Sequence, residues 1–320
     1  MRKSLKRAFI IFCTLVPLSM SAVHAQQYPV FSQYYFNELV INPAFAGSHV
    51  QLSMTAMYRN QWVNFPGAPK TFNISGHSSF MKKRMGIGLL IDHDEIGSYK
   101  NNHIYASYAY KINFPKSTFS MGLQAGVNLL GADYSSLSLQ TGGPDSDPSF
   151  AKVINEFKPN FGAGVYYNRK NFFAGISVPF ILNNQVASSV QSLIGGITEA
   201  RYYFIRTGGV FPINAAKTVK MNPSLLLRTQ EGQPVSMDIN DAFIFYDIFS
   251  VGVSYRSGDS FITFVDLQLS EQFHFAYSYD WTQSNINRFS AGTHEFVLNY
   301  RFKISSVHKN LECPHYYDYR

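Results

Sequence analysis

Residues 117–130 read STFSMGLQAGVNLL, and the fold turns on how this stretch is divided. Phe119, Met121, Leu123, Ala125, Val127 and Leu129 occupy one parity, and Ser120, Gly122, Gln124, Gly126 and Asn128 the other. Side chains of a β-strand point alternately to opposite faces, so the stretch makes a strand with one apolar and one polar face. The same alternation recurs in Val50-Leu52-Met54-Ala56-Tyr58 against Gln51-Ser53-Thr55. It returns in Phe273-Phe275-Tyr277-Tyr279-Trp281 against His274-Ala276-Ser278-Asp280.

Segmenting the chain by this rule predicts fourteen strands. They lie near 50–58, 71–80, 85–92, 102–112, 117–130, 158–168, 171–180, 200–211, 217–228, 234–245, 248–256, 260–269, 271–281 and 293–303. Most are about nine to eleven residues long, the length that crosses a bilayer at a strong tilt. An even count suits a closed bacterial barrel. Long connections (59–70, 93–101, 131–157, 181–199, 282–292) fall on one side and short turns such as 81–84 on the other, which is the asymmetry of outer-membrane barrels. The expected fold is therefore all-β: a transmembrane antiparallel β-barrel of about 14 strands. A large soluble β-sandwich is the competing architecture.

Composition agrees. Of 320 residues, 46% are hydrophobic and 16% aromatic, while only 15% are charged, against about 25% charged in a typical soluble domain. So many aromatics exclude a disordered chain. No stretch after Ala25 approaches the length of apolar run that a membrane helix needs. Aromatics near strand ends (Tyr58, Tyr99, Tyr110, Tyr167, Tyr202, Phe211, Tyr255, Trp281, Tyr300) are placed for interfacial girdles.

Residues 1–25 carry Arg2, Lys3, Lys6 and Arg7, then an apolar run from Ala8 to Leu18 and small residues up to Ala25. This is the pattern of a secretory signal peptide. Of 27 Lys+Arg and 20 Asp+Glu, four bases lie in this leader, leaving 23 against 20. The basic balance that could suggest nucleic acid as a partner disappears with cleavage. Cys13 goes too, so Cys313 is left without an internal disulfide partner.

The resulting organisation is a signal peptide (1–25), an N-terminal plug-like or periplasmic segment (26–49), a barrel (50–303) and a periplasmic tail (304–320). Both termini are expected on the periplasmic side of a Gram-negative outer membrane. The 26–49 segment is rich in aromatic rings and lacks Lys and Arg, so it is expected to pack in or under the barrel. Tyr34, Phe36 and Phe45 are its candidate docking residues. Trp62 and Phe65, between turns that hold Pro66, Gly67 and Pro69, are candidate partner anchors, with a place in the outer girdle as the alternative. Arg228, Asp238, Asp266, Glu295 and Arg301, with Asn299 and Lys303, are assigned to the lumen, because charge on the lipid face costs roughly 2–4 kcal/mol for a basic residue at mid-bilayer. Asp92-His93-Asp94-Glu95 reads as a solvated loop rather than a metal cluster, and Asp145 and Asp147 lack the ligand spacing of a calcium loop. No catalytic residue, metal or cofactor is expected, since hydrolase, zinc-protease, P-loop and dinucleotide motifs are all missing.

Gln33-Tyr34-Tyr35-Phe36-Asn37, Ile41-Asn42-Pro43-Ala44-Phe45-Ala46-Gly47, Tyr58-Arg59-Asn60-Gln61-Trp62 and Gly292-Thr293-His294-Glu295-Phe296 together resemble the PorP/SprF family of type IX secretion membrane proteins. Gly86–Asp92 and Cys313-Pro314 look like that family as well. The resemblance implies a non-enzymatic outer-membrane barrel of the secretion and gliding machinery. Its implied partners are a secreted adhesin with a C-terminal sorting domain, periplasmic OmpA-like peptidoglycan-binding components and other type IX components. A diffusion porin or small-molecule transporter is the alternative on the same fold.

Overall fold

The computed structural model describes residues 30–49, 51–81, 83–132, 154–186, 197–198, 201–230 and 233–302. Fourteen antiparallel strands form the wall. The first seven are β1 Leu52–Asn60, β2 Lys70–Phe80, β3 Met85–Ile96, β4 Tyr99–Phe114, β5 Ser117–Ala132, β6 Ile154–Arg169 and β7 Phe172–Val178. The second seven are β8 Tyr202–Gly208, β9 Ser224–Gln230, β10 Ser236–Phe245, β11 Phe249–Arg256, β12 Ser260–Gln268, β13 Phe273–Thr282 and β14 Thr293–Phe302. Each strand pairs with its neighbours in sequence, and β1 pairs with β14 from Leu52↔Phe302 to Asn60↔His294, closing the ring. A short hairpin of Phe211–Pro212 and Val219–Met221 prolongs the β9 line against the end of β10.

The two faces of the wall are inverted relative to a soluble sandwich. Ile87, Leu89 and Ile91 of β3 and Met121 and Leu123 of β5 are exposed, whereas Asn73, Ser75, Ser120, Gln124 and Asn128 are buried. Apolar residues outside and polar residues inside fit lipid around the barrel and exclude the sandwich alternative. Leu123 lies near the middle of β5 and is 64% exposed. Leu123→Arg is therefore expected to lose about 2–4 kcal/mol of membrane stability. A gel comparing heated and unheated membrane extracts would show the loss as a smaller folded fraction, while Leu123→Phe should be neutral.

Several connections differ from the sequence reading. The expected long loop at 93–101 is a two-residue turn, Gly97-Ser98, because β3 and β4 continue past their predicted ends. Asp92 and Asp94 thus stand in a strand with their side chains buried in the lumen, not in a solvated loop. Thr71 donates to Asp94 (2.6 Å) and Asn73 to Asp92 (2.6 Å). Tyr202 is not a girdle residue either, since it is buried inside the wall. Tyr58, Tyr110, Tyr255, Trp281 and Tyr300 do face outward.

The even-numbered connections, from 81–84 to 269–272, define a turn end of the barrel, and the odd-numbered ones a loop end. Residues 31–49 are buried within the ring. Ser32 meets Arg59 and Asp280 near the loop end, while Lys111 near the turn end donates its ammonium to the Gly47 carbonyl. The segment therefore runs down the lumen from loop end to turn end before β1 begins. Phe302 ends β14 at the turn end, and the two termini, expected on one side, lie outside the described residues.

Candidate functional site: the occupied lumen and the loop-end cleft

The lumenal segment is organised by its own local chemistry. Asn42 is extended, and its side-chain oxygen accepts the Ala44 N–H (2.9 Å), capping the short helical turn Pro43–Phe45. Proline suits the first position of such a turn because its φ is already set and its missing N–H is not needed there. The other side of the Asn42 amide donates to the Val165 carbonyl of β6 (3.1 Å). Gly47, at φ +65°, then turns the chain against Gly86 of β3, where an added Cβ would come 2.5 Å from the Gly86 Cα. Gly122 of β5 makes room for Ala44, since a Cβ there would lie 2.2 Å from the Ala44 nitrogen. Phe45 fills the seat, with its ring edge-on to His77 (5.3 Å) and Tyr166 (5.7 Å).

Higher in the lumen the contacts are with charge. Glu38 pairs with Arg206 of β8, both buried. The Arg206 guanidinium also lies 5.2 Å from the Tyr34 ring centre and 4.7 Å from that of Phe173, distances at which cation and ring attract. Asn240 of β10 donates to the Tyr34 hydroxyl (2.6 Å). Asn37 donates to Asn73 (3.0 Å) and Ser75 (2.7 Å) of β2. Tyr35 packs on Phe264 at 4.9 Å.

At the loop end Arg59 of β1 bridges Asp280 of β13 and Glu295 of β14, at 2.8 Å each and with all three side chains buried. The backbone N–H groups of Ser32 and Gln33 both donate to Glu295 (2.8 Å each), and the Ser32 hydroxyl donates to Asp280 (2.7 Å). Beside them Arg256 holds Asp238 (3.1 Å) and reaches the Phe31 carbonyl (3.3 Å). Buried charges are tolerated when paired and hydrogen-bonded, and here each is both.

Of the charged residues assigned to the lumen, Arg228, Asp238, Asp266 and Glu295 are buried there and Arg301 is half-buried, within 3.4 Å of His49. Arg228 donates to Ser236 (2.8 Å) and lies 3.9 Å from Asp238. Asp266 lies opposite Ser250 at 3.4 Å. Lys303 and Cys313, with Asp145 and Asp147, lie outside the described residues. Tyr34, Phe36 and Phe45 are buried inside the barrel, so in this arrangement they offer no face to a periplasmic partner. Sequence reasoning does not single out Arg59, Arg206, Glu38 or Asp280. The available signal is parity: Arg59 and Asp280 occupy the polar face of their strands, where a charge has to be lumenal.

Trp62 and Phe65 stand elsewhere, in the β1–β2 connection at the loop end. That connection is stapled to both neighbours. Val63 exchanges backbone bonds with Gly292 (2.9 Å) and Ala291 (2.8 Å), and Gly97 donates to Gly67 (3.0 Å). Trp62 and Asn64 have positive φ, +47° and +73°, a conformation that costs energy outside glycine and persists only when neighbours impose it. The result is a cleft of about 380 Å³ whose lining includes Asn60, Trp62, Phe65, Lys70 and Glu95. Phe65 is 38% exposed on its rim. Among the described residues, no group of three His, Cys, Asp or Glu side chains is placed to hold a metal ion.

Solved structures with this fold are outer-membrane barrels. The CymD monoaromatic hydrocarbon channel matches with a TM-score of 0.50 and 12% identity, covering 88% of this chain and 95% of its own. The outer membrane protein Omp33 of Acinetobacter baumannii matches with a TM-score of 0.46 and 10% identity, over 80% of this chain and 100% of its own. At such identities the likeness concerns the fold alone. No curated protein matches the chain. The model of the type IX secretion system membrane protein PorP/SprF matches residues 23–300. That span runs from the lumenal segment through almost all of β14, so the chain belongs to the PorP/SprF family of type IX secretion system membrane proteins.

Proposed function

We propose that this barrel is a closed, non-enzymatic outer-membrane holder that secures or assembles a cell-surface adhesin through its C-terminal sorting domain, within the type IX secretion and gliding machinery. The observation that carries the reading is the occupied lumen. Residues 31–49 are buried along its length and bonded to strands on every side. A diffusion porin needs that space for solute. A holder instead needs a rigid outer surface, and the stapled β1–β2 connection with Trp62 and Phe65 provides one. Large, rigid aromatic side chains are the usual energetic anchors of protein interfaces. In this reading the loop end faces outward to the adhesin, and the turn end faces OmpA-like peptidoglycan-binding partners and the rest of the machinery.

Affinity capture from crosslinked membranes tests the proposal. A C-terminal sorting domain should come down with the wild-type barrel. The double variant Trp62→Ala/Phe65→Ala should lower its recovery roughly tenfold or more, the loss expected when two interface anchors are truncated, with the folded barrel unchanged on gels. Absence of any sorting domain from the wild-type capture, together with steady solute-permeable current, would favour the porin reading.

A further inference from the structure

The two ends of the lumenal segment are held by different chemistry. At the turn end the hold combines hydrogen bonds, from Asn42 to the Val165 carbonyl and from Lys111 to the Gly47 carbonyl, with a steric seat. Ala44 and Gly47 lie where only glycine leaves room in the wall, Phe45 is enclosed by His77 and Tyr166, and β1 follows directly in the chain. Withdrawal there would leave a hole shaped to Ala44, Phe45 and Gly47. At the loop end the hold on Phe31–Gln33 is almost wholly polar: two N–H bonds to Glu295, the Ser32 hydroxyl on Asp280 and beneath Arg59, Arg256 on the Phe31 carbonyl, and the Gln33 amide on Ser278 and the Glu295 carbonyl. Phe31 is the one apolar side chain in it.

The wall groups at that end also satisfy one another. If the tip leaves, Arg59 keeps Asp280 and Glu295, and Arg256 keeps Asp238 and the nearby Asp259 (3.5 Å). No charge is stranded, and the vacated bonds are ones that water replaces well. The next residue, Tyr34, is anchored by Asn240 of β10 and Arg206 of β8, so the break falls between Gln33 and Tyr34.

We propose that the lumenal segment is a two-part latch whose tip, Phe31–Gln33, swings out of the loop end while its root, Asn42–Gly47, stays seated. Tip release turns the loop-end lumen into a polar vestibule lined by Arg59, Asp280, Glu295, Asp238 and Arg256, with the barrel still closed below. This holds whatever binds at the loop face.

Thiol accessibility in the full-length barrel tests it. In a Cys313→Ser background, a reporter is placed at the tip (Ser32→Cys) or next to the root (Ile41→Cys), and labelling by a membrane-impermeant maleimide is timed in proteoliposomes. The tip reporter should label at least roughly tenfold faster than the Ile41 reporter. Glu295→Gln should accelerate the tip alone by about tenfold, the loss of charge-assisted hydrogen bonds being of that order. Equal rates at the two sites, or a parallel rise at both in Glu295→Gln, would mean that the segment moves as one body and would overturn the latch. A tip that stays unlabelled even with Glu295→Gln would overturn it too. Should Glu295→Gln fail to assemble, Ser278→Ala, which removes one Gln33 contact, is expected to accelerate the tip alone by a smaller factor.

Discussion

A barrel lacking residues 31–46 is expected to conduct ions steadily in a planar bilayer, whereas the intact chain stays silent. The expectation follows from strand number. An eight-stranded barrel is just filled by its own side chains, and barrels of sixteen or more strands leave an aqueous channel. Fourteen strands lie between these limits, so the lumen has to be filled by something besides wall side chains. Here residues 31–49 fill it. Removing them leaves a lumen lined by Asn73, Ser75, Gln124, Asn128, Arg59 and Asp280, all polar and buried against the segment or one another, and water enters such a space freely. Gly122→Val should act in the same direction by a single change, because its side chain would run into the backbone at Ala44. Single-channel recording decides the matter. A deletion variant that folds yet remains silent would show that closure lies elsewhere.

The second large effect concerns the Arg59 cluster. Arg59→Leu strips the shared partner from two buried carboxylates, Asp280 and Glu295. Breaking a buried pair by removing one partner costs about 3–5 kcal/mol, because the remaining charge is left uncompensated. The unfolding midpoint of the detergent-solubilised barrel should fall accordingly. Adding Glu295→Gln to Arg59→Leu should recover part of the loss, since one stranded charge is removed. The exposed pair Lys100–Glu95, at 3.4 Å, is the internal control. Lys100→Ala there should change stability by less than about 1 kcal/mol. A similar fall from both substitutions would argue that the cluster is solvated and contributes nothing special to the hold on Ser32 and Gln33.

Strand reading succeeded where the two faces differ in polarity and failed where charge was taken as a sign of solvent. In β5, Met121 and Leu123 alternate with Ser120 and Gln124, and the outward and inward parities follow directly. In β3 the run Asp92-His93-Asp94-Glu95 has the composition of a loop, yet it continues the strand with Asp92 and Asp94 turned to the lumen. A barrel interior accepts polar side chains that a soluble core would reject, so composition stops separating strand from loop at that point. Tyr202 fails for the converse reason, because an aromatic ring suits a girdle and an occupied lumen equally well.

Alternation is a property of neighbouring residues, and with strand length and loop asymmetry it was enough for the strand number, the lipid-facing parity and the expectation of a membrane barrel. The choice against a soluble sandwich came with the exposed apolar face and the β1–β14 pairing. The Asn42–Gly47 run likewise carried its own turn, since the cap, the proline and the positive-φ glycine act within six residues. Where that turn sits was decided only in three dimensions. Ser32 meets Glu295 across 263 residues of sequence and Tyr34 meets Asn240 across 206. Neither pairing has a local signature, because the partners become neighbours only once β1 and β14 close the ring. The same holds for Gly86 and Gly122: in the sequence they are small residues on a polar face, and in the barrel they are the seat that keeps the lumen filled.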